Sequence, residues 1–205
     1  MADFIPKKVV GKFMHVTDVP LKRTGGKSLV YFFGAGFCPF CAAQRWAIVE
    51  ALNKFGSWSG LADDSSADHD EKYLNVPTVS FARASYSSEY VEFIGRETAD
   101  RNFEPSPTEL NEADYEILDT YNPDQVIPFL LVDGQFLQVG AGYSPQLLAG
   151  LDHKALRAQL QDPASVAGNA IKAEANNIAA LICKSIGSKA PGCAEQSIKT
   201  IVAKL

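Results

Sequence analysis

The chain has 205 residues, 46% of them hydrophobic and 21% charged, with a formal net charge of −5; this is the composition of a globular protein with a sizeable core, not of a disordered tail. The acidic balance excludes a general polyanion-binding face of the kind that nucleic acid requires. Four cysteines are too few for a disulfide-held scaffold, so apolar packing must hold the fold and each cysteine needs its own explanation.

Residues 1–8 lack the apolar run of a signal peptide, and no stretch approaches the roughly 18 consecutive apolar residues of a membrane span. A Met-Ala start directly before a domain is also what remains when a leader or anchor is cut away, so localisation is not read from it. Residues 9–19 mix apolar Val9, Val10, Phe13, Val16 and Val19 with polar positions and stop at Pro20, which suits a strand or short helix on the domain edge. Arg23, Thr24, Gly25, Gly26 and Lys27 supply a turn before Leu29, Val30, Tyr31, Phe32 and Phe33. That continuous apolar run, bounded by Gly34 and Gly36, predicts a strand buried on both faces. Residues 38–55 contain no glycine, carry Pro39 where helices tolerate proline, and space Ala42, Ala43, Ile48, Val49, Leu52 and Phe55 as a helix that Gly56 ends.

The acidic stretch 63–71 reads as a solvated loop, because the glycine and spacing of a calcium site are missing. Residues 76–84 and 90–94 predict strands separated by a Ser/Tyr turn at 85–88. Pro107, Thr108 and Glu109 open a helix that runs to about Tyr121 and closes at Asn122-Pro123. Phe129, Leu130, Leu131 and Val132, then Asp133-Gly134, then residues 135–139 give a hairpin with a type I′ turn. A helix follows over 144–160, a break at Asp162-Pro163, an alanine-rich helix to Ile182, and a last amphipathic helix with Ile198, Ile201, Val202 and Leu205. The order strand, helix, strand, helix, hairpin, helix predicts an α/β fold with a mixed sheet flanked by helices, insertions, and a C-terminal helical extension. Residues 1–162, with an N-terminal arm at 1–27, form the domain; residues 163–205 form the extension packed on it.

Cys38-Pro39-Phe40-Cys41 stands where the buried strand meets the helix. Cysteines three apart at a helix start lie about 60° apart around the axis, close enough to bridge. The helix N-terminus stabilises a Cys38 thiolate, which places its pKa in the range of about 3.5 to 7.5 typical of such sites. An exposed Cys38 would then attack a disulfide, and Cys41 would resolve the mixed disulfide. Half of a zinc knuckle, poorly completed by Cys183 and Cys193, and an inert structural disulfide are the other readings of the same residues. Cys183 ends an apolar helix, and Gly187, Pro191 and Gly192 let the chain fold back to Cys193. A structural Cys183–Cys193 bridge is the reading taken, worth roughly 2–3 kcal/mol in the chain-entropy model; a second redox pair and free thiols are the alternatives. The bridge in turn points to an oxidising, extracytoplasmic compartment.

His15, His69 and His153 are isolated and read as surface or satisfied core residues. Trp46 is expected to pack and Arg45 to be exposed. Phe37, Phe40 and Tyr143 are candidates for an apolar rim facing an unfolded client. No Ser-His-Asp arrangement, phosphate-binding glycine motif, cofactor or metal site is visible.

The stretch FGAGFCPFCAAQRWAIV (residues 33–49), followed by Phe55-Gly56, resembles an uncharacterised prokaryotic family of thioredoxin-like proteins, and a Cys-x-x-Cys opening the first helix looks like the thioredoxin fold. The resemblance extends through Val76-Pro77-Thr78 and Ala84-Ser85-Tyr86, over most of residues 9–160. It implies that Pro128 is cis and lies against the cysteines, with the backbone of Ile127 pairing with a substrate strand. The family brings a fold and no established substrate; the cysteine pair itself points to thiol-disulfide exchange on protein thiols or disulfides, with Cys38 as nucleophile, Cys41 as resolving thiol and an unidentified redox partner, and a membrane anchor absent from this chain is left open. Two positions depart from the relatives. Phe32 replaces a buried acid, so proton transfer falls to water or to another group such as Glu50. Phe40 replaces the histidine of strongly oxidising relatives, which implies a less oxidising potential. Cys-Pro-Phe-Cys also resembles the glutaredoxin motif, although glutaredoxins are much shorter. A thioredoxin-fold binding module or holdase with a static disulfide is the alternative of a different class.

Overall fold

The computed structural model describes residues 6–21, 24–106 and 109–205. The first apolar segment forms a hairpin of two short strands, Lys7–Val10 (β1) and Phe13–His15 (β2), turned at Gly11. The predicted buried strand is Ser28–Gly34 (β3), buried at all seven residues. Its alternate side chains serve two cores, as the period of a strand requires. Val30 and Phe32 join the large cluster under the first helix, Pro39–Leu52 (α1), whereas Leu29, Tyr31 and Phe33 join a smaller cluster on the opposite face.

Next come Gly56–Ser59 (β4), Ala62–Ser65 (β5), Pro77–Ser80 (β6), Ser85–Ser88 (β7) and Val91–Glu97 (β8). The helix Glu112–Tyr121 (α2) covers the smaller cluster with Ile117 and Leu118. The hairpin Phe129–Val132 (β9) and Phe136–Val139 (β10) turns at Asp133 and Gly134 with φ of 55° and 74°, the positive pair a type I′ turn needs. Three helices complete the chain: His153–Gln161 (α3), Val166–Ser185 (α4) and Gln196–Val202 (α5).

The main sheet has six strands in the order β1-β2-β10-β9-β3-β8. Strands β3 and β8 run parallel, joined by the crossover that contains α1, and β9 runs antiparallel to β3 with Phe129 opposite Phe33. The fold is therefore mixed α/β. Helix α1 is buried nearly all round, which is the condition of a helix held between two layers. The sheet covers one side, and Ile171, Ala175, Ile178 and Ile182 of α4 share its cluster. Among the described residues no helix is long and apolar enough to cross a membrane.

Several local expectations are corrected. The Ser/Tyr segment 85–88 is a strand, paired with β4 so that Tyr86 faces Trp58. The first three residues of the acidic stretch are also strand, since β5 pairs with β6, and Ser66 and Ala67 beyond it are buried. The helix expected to open at Pro107 starts at Glu112, because Asn111 and Asp114 form a capping box there. Pro107 and Thr108 lie outside the described residues, as do residues 1–5 of the arm and Arg23 of the predicted turn. The helix expected over 144–160 is split: a 3-10 turn, Pro145–Leu147, ends before Gly150 at φ 80°, and Asp152 caps α3 afresh.

Candidate functional site

Strand β3 delivers the chain to one end of the sheet, and the four residues 35–38 carry it into α1. Cys38 is the N-cap of α1, with extended backbone, and Pro39 follows at the position where a missing N–H costs nothing. The Cys38 sulfur takes the place of a capping oxygen: the Cys41 N–H donates to it at 3.3 Å. Gly34 is required here, since a Cβ would meet the Phe32 ring at 2.6 Å and the Cys41 sulfur at 3.1 Å. Gly36 is required as well, because the loop after β8 closes on it; a Cβ would strike the backbone of Asp100 and Arg101 at 2.8 and 2.9 Å.

Both thiols are free, Cys41 fully buried and Cys38 5% exposed. Cys38 is thus far less open than expected. The two sulfurs are polarised against each other. A hydrogen bond from the Cys41 thiol lowers the Cys38 pKa against the effect of burial, helped by the N–H groups of Cys41 and Phe40 and by Arg45. Burial pushes the Cys41 thiol well up, and its bond to Cys38 adds to that. The pair titrates as one system in which Cys38 is the more readily ionised thiol and Cys41 the less.

The Ile127–Pro128 peptide bond is cis. It immediately precedes β9, whose Phe129 lies opposite Phe33, so it stands at the same end of the sheet as Cys38. The Ile127 side chain packs against both hydrophobic clusters.

Arg45 is the main correction at the site. It was expected to be exposed, yet it is 1% exposed. Its Nε and Nη2 donate to the two carboxylate oxygens of Glu97 at 2.8 and 2.6 Å, and Nη2 also donates to the Ala35 carbonyl at 2.8 Å. Glu97, at the end of β8, was not singled out from sequence, because nothing local connects two charges so far apart in the chain. Glu50 is a further correction as a proton acceptor for Cys41. It follows Cys41 by nine residues of α1, about 13 Å along the helix axis, and its charged neighbours are Lys54 and Lys172.

Trp46 packs as expected, its indole N–H donating to the Pro77 carbonyl at 2.8 Å. Phe37 stacks on Phe103 at 4.5 Å, and Phe40, 39% exposed, meets Tyr73 edge-on at 6.1 Å. These two stand at the rim. Tyr143 turns inward instead, and its hydroxyl donates to the Ala43 carbonyl. His153 bridges the carbonyls of Asp64 and Thr78 at 2.7 and 2.9 Å, a structural role; His15 stacks on Phe136, and His69 pairs with Asp68 in an exposed loop.

Cys183 and Cys193 are joined by a disulfide with their Cα atoms 5.7 Å apart. Gly192 packs on Lys54, just beyond the C-terminal end of α1, whereas Cys38 caps the N-terminal end of the same helix, about 20 Å away. The two cysteine pairs therefore do not exchange within one molecule. Among the described residues no group of three or more His, Cys, Asp or Glu side chains gathers to hold a metal.

The profile of a family described as a domain of unknown function, DUF929, matches residues 12–130. That stretch holds both free cysteines, Arg45, Glu97 and the cis proline. No curated protein and no solved structure matches the chain.

Proposed function

The chain belongs to the DUF929 family, a domain of unknown function, so its activity has to be argued from the site, and we propose that it is a thiol-disulfide oxidoreductase of thioredoxin-like design acting on protein substrates. One observation carries the reading: Cys38 caps α1 as an unbridged thiol of lowered pKa, backed by a buried Cys41 whose pKa burial raises. A pair serving only as a static disulfide has no use for that polarisation. The arrangement around it supports the same reading, with β10-β9-β3-β8 forming a mixed sheet, helices in both crossovers and a cis proline before β9.

In the reducing direction the Cys38 thiolate attacks one sulfur of a client disulfide. The client S–S bond breaks, a mixed disulfide forms, and one client thiolate leaves. Cys41 then gives its proton to water and attacks the Cys38 sulfur. That step breaks the mixed disulfide, forms the Cys38–Cys41 bond and releases the second client thiolate. Two electrons pass to the client, and the reverse sequence oxidises it. The backbone of Ile127, next to cis-Pro128, positions the client strand, and Phe37 and Phe40 offer it apolar contact. Direction follows from the potential of the pair and from its redox partner. With no histidine between the cysteines, the potential is placed below that of the strongest oxidants of this chemistry, near −120 mV. The Cys183–Cys193 disulfide supports an oxidising, extracytoplasmic setting.

Insulin reduction and the refolding of a scrambled client, each compared with Cys38→Ser, test the proposal. Activity lost in the variant supports the relay. Activity unchanged in it leaves a binding module with inert cysteines.

A further inference from the structure

If Cys38 and Cys41 exchange disulfides as proposed above, negative charge must be held on sulfurs inside the protein, since Cys41 is fully buried and Cys38 nearly so. Neither position singled out in the sequence supplies help, because Phe40 and Phe32 are both uncharged. Arg45 lies one helical turn beyond Cys41, on the same face of α1. Its guanidinium reaches back under the loop that leads into the helix. There Nη2 donates to the Ala35 carbonyl, the oxygen that also receives the Cys38 N–H.

Arg45 is held in place by Glu97 through two charge-assisted bonds. Its Nη1 has no protein partner although the residue is 1% exposed. Arg45 and Glu97 border a cavity of about 70 Å³ that Ser80, Ser106, Asp64 and Asp100 also line. These side chains bring polar atoms to a space large enough for water, which gives Nη1 a means of solvation. The charged groups around the guanidinium are thus Glu97 from β8, Asp64 from β5 and Asp100 from the loop after β8. Arg45 draws both thiols toward the ionised form.

We propose that Arg45 is the positioning residue that sets the redox poise of the Cys38/Cys41 pair, supplying from behind the positive charge absent between the cysteines, and that Glu97 moderates it. When two glutathione molecules reduce the Cys38–Cys41 disulfide, that bond breaks, glutathione disulfide forms, and a proton leaves as Cys38 remains a thiolate. Arg45 stabilises only the reduced side of this equilibrium. A unit charge one helical turn away, at an effective dielectric of about 20, changes a thiol ionisation roughly a hundredfold, and pairing with an acid brings this to about tenfold.

The full chain, Arg45→Met, Glu97→Gln and the double variant are equilibrated with glutathione mixtures, and the pH dependence of Cys38 alkylation is measured for each. Arg45→Met is expected to shift the equilibrium about tenfold toward the disulfide, about 30 mV for a two-electron couple, and to raise the pH at which Cys38 becomes reactive. Glu97→Gln is expected to shift both quantities severalfold the other way, with the double variant between. Simple loosening of the fold would move both single variants in one direction. Shifts of equal sign, or both within twofold of the parent, overturn the inference and leave the proposed function standing. A parent chain with no glutathione-dependent equilibrium overturns both. Should Arg45→Met not fold, Glu97→Gln decides alone: a shift toward the dithiol supports the assignment, and any other result overturns it.

Discussion

Replacing both Cys183 and Cys193 with alanine removes a constraint on the unfolded chain without touching the free thiols. The bridge closes a loop with a sequence separation of 10. In the chain-entropy model a loop of that length, about 10 residues, contributes about 2.7 kcal/mol at 25 °C. For a protein of this size such a loss lowers the melting temperature by roughly 5–10 °C. Urea unfolding followed by circular dichroism gives the loss directly, as a lower midpoint with an unchanged slope. The bridge stands at the far end of α1 from Cys38, so the alkylation profile of Cys38 should be unchanged. A stability loss below about 0.5 kcal/mol would refute the reasoning, for it would mean that packing of α5 and the turn before it already fixes the tail. A shifted Cys38 profile would refute the separation of the two pairs.

Other perturbations test the site and its frame. In the reduced protein, iodoacetamide labelling of Cys38 should persist below the ordinary thiol range, because its pKa is lowered. The contribution of the thiolate to stability is fully present above the pKa of the unfolded thiol and is lost as pH falls through the lowered folded pKa; a labelling midpoint at or above that of a free cysteine contradicts this. Gly36→Ala places a Cβ against the backbone of Asp100 and Arg101, which cannot move aside as a side chain would. Its cost should be about 1–3 kcal/mol, with faster proteolysis in the loop after β8, and wild-type stability in the variant would argue against that close approach. Asn111→Ala removes the capping box of α2 and should cost about 1 kcal/mol, measured by chemical denaturation.

The parts of the fold legible in the sequence are those written in consecutive residues. The run from Leu29 to Phe33, the glycine-free segment after Cys38 and the Asp133-Gly134 hairpin each state their conformation locally, and the thiol pair follows from its place at a strand-to-helix junction. Two-stranded side sheets were hidden because their alternation is of serine with tyrosine, or of acids with small residues. Those patterns match a turn or a loop as well as a half-exposed strand. Arg45 was misjudged because an arginine in a helix is exposed by default. The correcting signal was present: apolar residues occupy almost every side of that helix, so it lies between two layers and its few polar residues lie inside. Glu97 as the partner could not be read, since β8 meets α1 only through the crossover geometry.

The order of the main sheet leaves two strands, β1 and β8, with one neighbour each. Exposed edges invite pairing with other chains, and proteins blunt them with charge. Here β1 opens with Lys7 and Lys8, and β8 carries Glu92 and Arg96. Both flanks of the sheet are therefore discouraged from adding a foreign strand. Under the proposed function, an extended client would be left to meet the molecule end-on, at the tip where Ile127 and the thiols stand, so that backbone recognition and sulfur chemistry would become a single event.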